Sequence, residues 1–191
     1  AYSPGEKIGL RPDRAVTVYT KILRSLCSDT PILIGGLEAS LRRFAHYDYW
    51  SDSVRPSVLE ESGADLLMYG MGEREIIQIA QAFREGKTLE EMRDIRGTCY
   101  LVVPEETPFG CVECPGWEQI AKDKAAYAKA TRIEMDHQDE ITGRTLIQRQ
   151  KHKMLVQNPP MEALTTEEMD WVYSLPYMRT YHPIYEQQGG V

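Results

Sequence analysis

Three apolar runs in the first half of this chain are each too short for a helix, and each stops at glycine or proline. Ile32-Leu33-Ile34 ends at Gly35-Gly36, residues 65–69 end at Gly70, and residues 98–103 end at Pro104. Runs of that length suit strands buried on both faces. Helical patterns lie between them. Pro12 stands where a first-turn proline is tolerated, and Ala15, Tyr19, Ile22, Leu23 and Leu26 recur at three- and four-residue spacing, so residues 13–27 are expected to form an amphipathic helix. Residues 56–62 read as a short helix stopped at Gly63. Residues 73–84 read as a longer one, with Ile76, Ile77, Ala80 and Phe83 on its inner face and Gly86 just beyond its end.

Strands alternating with helices imply right-handed crossovers and a mainly parallel sheet covered on both faces, a three-layer α/β domain over residues 1–104. Three strands are fewer than the usual five or six, so the others are expected before Ala1. Both ends read as interior to a longer polypeptide, since Ala1 is not an initiator Met and Gln188-Gly189-Gly190-Val191 is turn-like. From Glu105 the pattern changes. A Pro/Gly-rich stretch leads to a charged helical segment over residues 117–137, with a thin stripe of Trp117, Ile120, Tyr127, Thr131 and Met135. Residues 145–150 and 153–157 read as a β-hairpin across Lys151-His152. Thr165 followed by Glu168 is a capping-box pattern opening a helix at Thr166 that Pro176 stops. Residues 105–191 are therefore expected to form an α+β appendage.

Lys plus Arg number 22 against 29 Asp plus Glu, a net charge of −7, which does not point to nucleic acid or an anionic membrane as partner. No apolar run approaches the roughly 20 residues needed to span a bilayer. The four cysteines are too sparse for a disulfide scaffold, so reduced thiols and a cytoplasmic location are expected.

The densest functional-looking segment follows the first strand. Gly35 and Gly36 would let a ligand approach the backbone at the carboxyl end of a strand, where open α/β sheets place their crevice. Glu38, Arg42, Arg43, His46 and Asp48 offer charge and proton exchange to a substrate or an interface, or they pair with one another. Gly70 and Gly72 follow the second strand and open a helix whose N-terminal amides favour an anion, although Glu73 would repel it. The two glycine clusters are expected on one edge of the sheet, sharing a cofactor or nucleotide crevice. Cys111-Val112-Glu113-Cys114 has metal-knuckle spacing, with Cys99, His137 and His152 as further candidate ligands, yet no second C-x-x-C exists and two ordinary loop cysteines are the plainer reading. Tyr177, Tyr181, His182 and Tyr185 form an aromatic tail suited to an interface. A hydrolase or transferase built on Glu38, His46 and Asp48 would need a nucleophile that no spacing supplies.

Four strings carry a resemblance: residues 35–50 (GGLEASLRRFAHYDYW), 62–73 (SGADLLMYGMGE), 155–160 (LVQNPP) and 179–185 (RTYHPIY). They closely resemble the N-terminal region of YgiQ-family radical S-adenosylmethionine (SAM) proteins, in which the radical SAM barrel follows. The resemblance implies a parent that binds a 4Fe-4S cluster through C-x-x-x-C-x-x-C and reductively cleaves SAM to a 5′-deoxyadenosyl radical acting on an unknown substrate. None of those three cysteines is in this chain, so no cofactor and no metal is expected in it. It looks like an accessory domain whose partner is the barrel of the same polypeptide, similar in outline to the Rossmann-like cobalamin-binding domains of other radical SAM enzymes. The D-x-H-x-x-G signature of cobalamin ligation is absent. The alternative is an autonomous module binding metal through Cys111 and Cys114, or a nucleotide at Gly35-Gly36.

Overall fold

The computed structural model describes residues 3–190. In chain order it contains α1 (Ala15–Leu26), β1 (Leu33–Ile34), α2 (Gly36–Leu41), β2 (His46–Asp48), β3 (Ser53–Arg55), α3 (Val58–Ser62), β4 (Leu66–Met68), α4 (Glu73–Arg84) and β5 (Thr98–Val102). β6 (Val112–Cys114), α5 (Trp117–Ile120), α6 (Lys124–Asp136), β7 (Leu146–Arg149), β8 (Met154–Gln157) and α7 (Thr166–Ser174) follow. Local chemistry sets these boundaries. Ser57 Oγ accepts from Leu59 N at 3.2 Å to start α3, and Gly63, with φ of 74°, ends it. Asp123 caps α6, which separates it from α5, so the single helix expected over residues 117–137 is two. The capping box at Thr165 and Glu168 is formed in full.

Among the described residues the sheet has six strands in the order β1-β4-β5-β8-β7-β6, with a separate hairpin of β2 and β3. The β1/β4 and β6/β7 pairs are parallel, each joined by a helical crossover. The β4/β5, β5/β8 and β7/β8 pairs are antiparallel. The α/β class holds, but the sheet is mixed rather than mainly parallel. The reason is the hairpin turning at Lys151-His152: a two-residue connection joins only antiparallel strands, and β7 and β8 insert into the sheet beside β5 instead of forming an appendage. The boundary drawn after residue 104 therefore runs through one sheet and one core.

Strand side chains alternate between two apolar layers. Ile34, Leu67, Cys99, Cys114, Leu146 and Leu155 face one layer, completed by Ala39 of α2 and by Val58 and Leu59 of α3. Leu66, Tyr100, Val102, Ile147, Met154 and Val156 face the other, completed by Ile79 and Ala82 of α4 and by Met92. This is the three-layer arrangement. A smaller cluster of Ala45, Ile120, Ala126 and Ala130 joins the β2-β3 hairpin to α5 and α6, with Trp117 Nε1 donating to Val54 O at 3.1 Å.

Two helices are turned opposite to expectation. α1 buries Thr17 and Thr20 and leaves Tyr19, Ile22, Leu23 and Leu26 exposed, Leu26 at 75%. α4 buries Glu75, Ile79 and Ala82, while Ile76, Ile77, Ala80 and Phe83, the residues assigned to its inner face, lie outward. In α6, likewise, Ala126 and Ala130 are buried and Met135 is exposed.

Candidate functional site

β1 and β4 run parallel and side by side, so the turns after them open at the same end of the sheet. Gly35, Gly36, Gly70 and Gly72 meet there around a cleft of about 310 Å³, with Met68, Met71, Glu73 and Ile76 completing its lining. Gly36, Gly70 and Gly72 all have positive φ, between 79° and 84°, which side-chain-bearing residues adopt only with strain. A Cβ on any of those three would meet nothing within 4 Å, so their backbone is bare toward the opening. Glu73 Oε2 is buried without a hydrogen-bond partner among the described residues, which gives the cleft an acidic element at the start of α4. That carboxylate counteracts the pull of the helix terminus on anions.

The charged residues that follow Gly36 are engaged in tying elements together. Asp48, 2% exposed, accepts from Arg14 Nη2 at 2.5 Å and from Ser51 Oγ at 2.6 Å. Burial opposes its ionisation, but the hydrogen bonds from Ser51 and Arg14 prevail and hold the carboxyl well below the usual carboxylate range. Glu38 accepts from Arg42 Nη1 at 3.0 Å and from Val16 N at 3.2 Å, and Arg42 Nη2 lies 3.9 Å from Asp48. These contacts clasp α1, α2 and β2. His46 turns Nδ1 to Phe44 O at 3.1 Å, and burial pushes its imidazole below the ordinary value. Among the described residues it bonds neither Glu38 nor Asp48, so those three do not form a catalytic relay.

Three buried glutamines of the late hairpin hold this early segment. Gln148 Oε1 accepts from Ala45 N at 2.8 Å, Gln150 Oε1 from Ser57 N at 2.8 Å, and Gln157 Oε1 from Arg43 Nε at 2.6 Å. Arg43 Nη1 also donates to Ser40 O at 2.6 Å, and its guanidinium stands 5.0 Å from the Tyr69 ring centroid and 5.3 Å from that of Phe44. Arg43, Ser40, Tyr69, His137, Gln138, Gln157 and Pro160 line a second cavity of about 270 Å³ that meets the glycine cleft at Gly70. His137 and Gln157 were not singled out for this place by sequence reasoning. The 155–160 string contains Gln157 and was the available signal for it.

The cysteines do not converge. Cys114 lies in β6 with its thiol in the core layer of Leu146 and Leu155, whereas Cys111 packs on the opposite layer, its Sγ donating to Pro108 O at 3.3 Å. The pair expected in a loop is thus divided by the sheet, which corrects the metal-knuckle alternative. Burial pushes the Cys99 and Cys114 thiols up to about 12. Among the described residues no group of three His, Cys, Asp or Glu is arranged to hold a metal ion.

Tyr181 and His182 sit away from the cleft lining, in the C-terminal segment. His182 Nδ1 accepts from Ile184 N at 3.2 Å and caps the 3-10 turn Pro183–Gln188, which packs on the N-terminal turn Pro4–Glu6. Gly5 N donates to Gly190 O at 3.1 Å, so the two terminal segments pair. No helix among the described residues is long and apolar enough to cross a membrane.

Comparison with known proteins fits this picture. The family model described as radical SAM N-terminal matches residues 1–191. A UPF0313 protein of Clostridium botulinum (strain ATCC 19397 / Type A) is 51% identical over 190 residues, covering all of this chain and 30% of that protein. A UPF0313 protein of Clostridium perfringens (strain ATCC 13124) is 47% identical over 191 residues, covering all of this chain and 29% of that protein. No solved structure matches. The chain spans about 30% of the length of the curated relatives it matches. The chain therefore belongs to the radical SAM N-terminal family, as the N-terminal part of a UPF0313 (YgiQ-type) protein.

Proposed function

We propose that residues 1–191 are a non-catalytic accessory domain of a cytoplasmic radical SAM enzyme, whose remaining polypeptide carries the 4Fe-4S cluster and cleaves SAM. The observation that carries this reading is the division of the chain's chemistry. Glu38, Arg42 and Asp48, which follow the first glycine turn, are spent on internal ties, and the bare backbone of Gly36, Gly70 and Gly72 is gathered at one cleft. The four thiols do not fit a three-thiolate cluster ligand set: Cys99 and Cys114 are buried in the core, Cys111 is turned to the other side of the sheet, and Cys27 is exposed at the end of α1. No step of cluster chemistry is therefore routed through this chain.

In this reading the glycine cleft and the adjoining Arg43 cavity form a wall of the compartment in which the barrel meets its substrate. Bare backbone at Gly36, Gly70 and Gly72 admits close approach, and the Arg43 guanidinium supplies positive charge beside an aromatic ring. Anaerobic reconstitution tests the assignment. With dithionite as electron donor, the full-length protein is expected to bind a cluster and reductively cleave SAM to methionine and 5′-deoxyadenosine, and residues 1–191 alone to do neither. Cluster assembly and SAM cleavage by residues 1–191 would sink it. Gly35 is the position for a graded test of the cleft, because its φ of −163° tolerates a side chain and a Cβ there meets Met68 at ordinary contact distance. Gly35→Leu in the whole protein is expected to obstruct the cleft while leaving cluster content unchanged.

A further inference from the structure

The outward turn of two helices, noted above, conflicts with the way helices cover sheets. A 12-residue helix such as α1 is stabilised chiefly by burying its apolar stripe, yet here Thr17 and Thr20 face inward and Tyr19, Ile22, Leu23 and Leu26 face out. α4 repeats the inversion with Ile76 and Ile77, 46% and 55% exposed. The two helices lie on opposite layers of the sheet, since Val16 of α1 packs with the Leu67 layer and Ile79 of α4 with the Leu66 layer. Both flank the same strand. α1 is tied there through Arg24, which donates to Asp65 Oδ2 at 2.5 Å, the same oxygen that accepts from Ile32 N at 2.7 Å just before β1. α4 is placed there by Ile76, which shares the cleft lining with Gly35 and Gly36 just after β1.

Among the described residues β1 has one neighbour, β4, and its other edge is open. The sequence around that edge, Ile32-Leu33-Ile34-Gly35, carries none of the charges that proteins place on strands meant to stay unpaired. A flat apolar partner such as a membrane could cover one face of a sheet. It could not cover stripes on both faces and the strand edge between them. A continuation of the sheet does all three at once, because each helix in a three-layer fold rests on more than one strand.

We infer that in the whole protein the sheet continues past β1. Polypeptide of the same chain outside residues 1–191 adds at least one strand along the free β1 edge, and its side chains cover the outward stripes of α1 and α4. This rests on the chain being part of a longer protein, as its coverage of about 30% of its relatives indicates, and not on any radical chemistry.

The test places the photo-crosslinking residue p-benzoylphenylalanine at Tyr19 in one variant of the full-length protein and at Ile77 in another, with products sized and mapped by mass spectrometry. The expected result is a monomer-sized product from each variant, joined to peptides outside residues 1–191. A dimer-sized product would assign the surface to a second copy. Links only within residues 1–191, or none, would leave both stripes bare. Each of these three outcomes overturns the inference. The readout requires neither cluster nor SAM, so its failure is distinguishable from failure of the accessory-domain reading, which SAM cleavage alone decides.

Discussion

Arg74 clasps Glu168 across a sequence separation of 94, with Nε 2.8 Å from Oε1 and Nη2 2.5 Å from Oε2. This two-point pair fixes the start of α4 to the start of α7, where Glu168 also closes the capping box by accepting from Thr165 N at 2.7 Å. The same carboxylate serves two elements, so removing it releases both.

Glu168→Ala is expected to speed amide exchange through residues 166–174 while leaving β8 protected. The hydrogen bond from Arg74 holds the Glu168 carboxyl at about 2, below the ordinary value of 4.5. A depressed carboxyl contributes above its unfolded value and loses that contribution as pH falls from about 4.5 toward 2. Protection factors, which correct each rate for the intrinsic pH dependence of amide exchange, should therefore fall more between pH 7 and pH 3 in wild type than in the variant, and equal pH responses would refute the assignment.

Asp48→Ala should cost on the order of 3 kcal/mol, because it leaves the Arg14 guanidinium without its partner in a site where the Asp48 side chain is only 1% exposed. Arg42→Ala should cost less, since that guanidinium lies 3.9 Å from the same carboxylate. Urea unfolding checks the ranking, and a larger loss for Arg42→Ala would reverse the account of which arginine holds β2.

Gly97 has φ of 72°, and a Cβ there would collide with the buried Glu75 carboxylate. Gly97→Ala is expected to destabilise by about 2 kcal/mol, from backbone strain plus overlap. Combining it with Glu75→Ala removes the overlap but not the strain. The double variant should then lose less than the two single losses added, and strict additivity in thermal unfolding would show that the contact does not matter.

Burial raises the Glu134 carboxyl to about 7, with Arg43 only partly opposing. The unfolded chain ionises this group near the ordinary 4.5 and the folded chain near 7, so stability falls as pH climbs between those values. Glu134→Gln should abolish that slope and be more stable than wild type at pH 8 by on the order of 2 kcal/mol, with little difference at pH 4. Parallel stability curves for the two proteins would contradict it.

Much of this architecture was legible because its signals are local. The runs at Leu33, Leu66 and Thr98, the helix over residues 73–84, the capping box at Thr165 and the hairpin across Lys151-His152 all announce themselves within a few residues. The meeting of Gly35-Gly36 with Gly70-Gly72 was also readable, because parallel neighbours open their following turns at one end. What was not legible depends on distant partners. Periodicity shows that α1 has an apolar stripe, but not that Thr17 and Thr20 are the residues it turns inward. The parity that sends Cys111 and Cys114 to opposite layers exists only once residues 112–114 pair with β7. Nor does anything in residues 35–50 forecast that Gln148, Gln150 and Gln157 will hold that segment.

The placement of β8 sets an order of events during synthesis. Its strand lies between β5 and β7, pairing Cys99 with Gln157 on one side and Ile147 with Val156 on the other. A nascent chain therefore holds β5 with one bare edge until the ribosome has released residue 157. The same delay applies to the loop around Ala45 and Ser57, whose amides wait for the glutamine side chains. A stall before residue 157 would leave that strand edge and those amides unpaired, the kind of surface that recruits other strands.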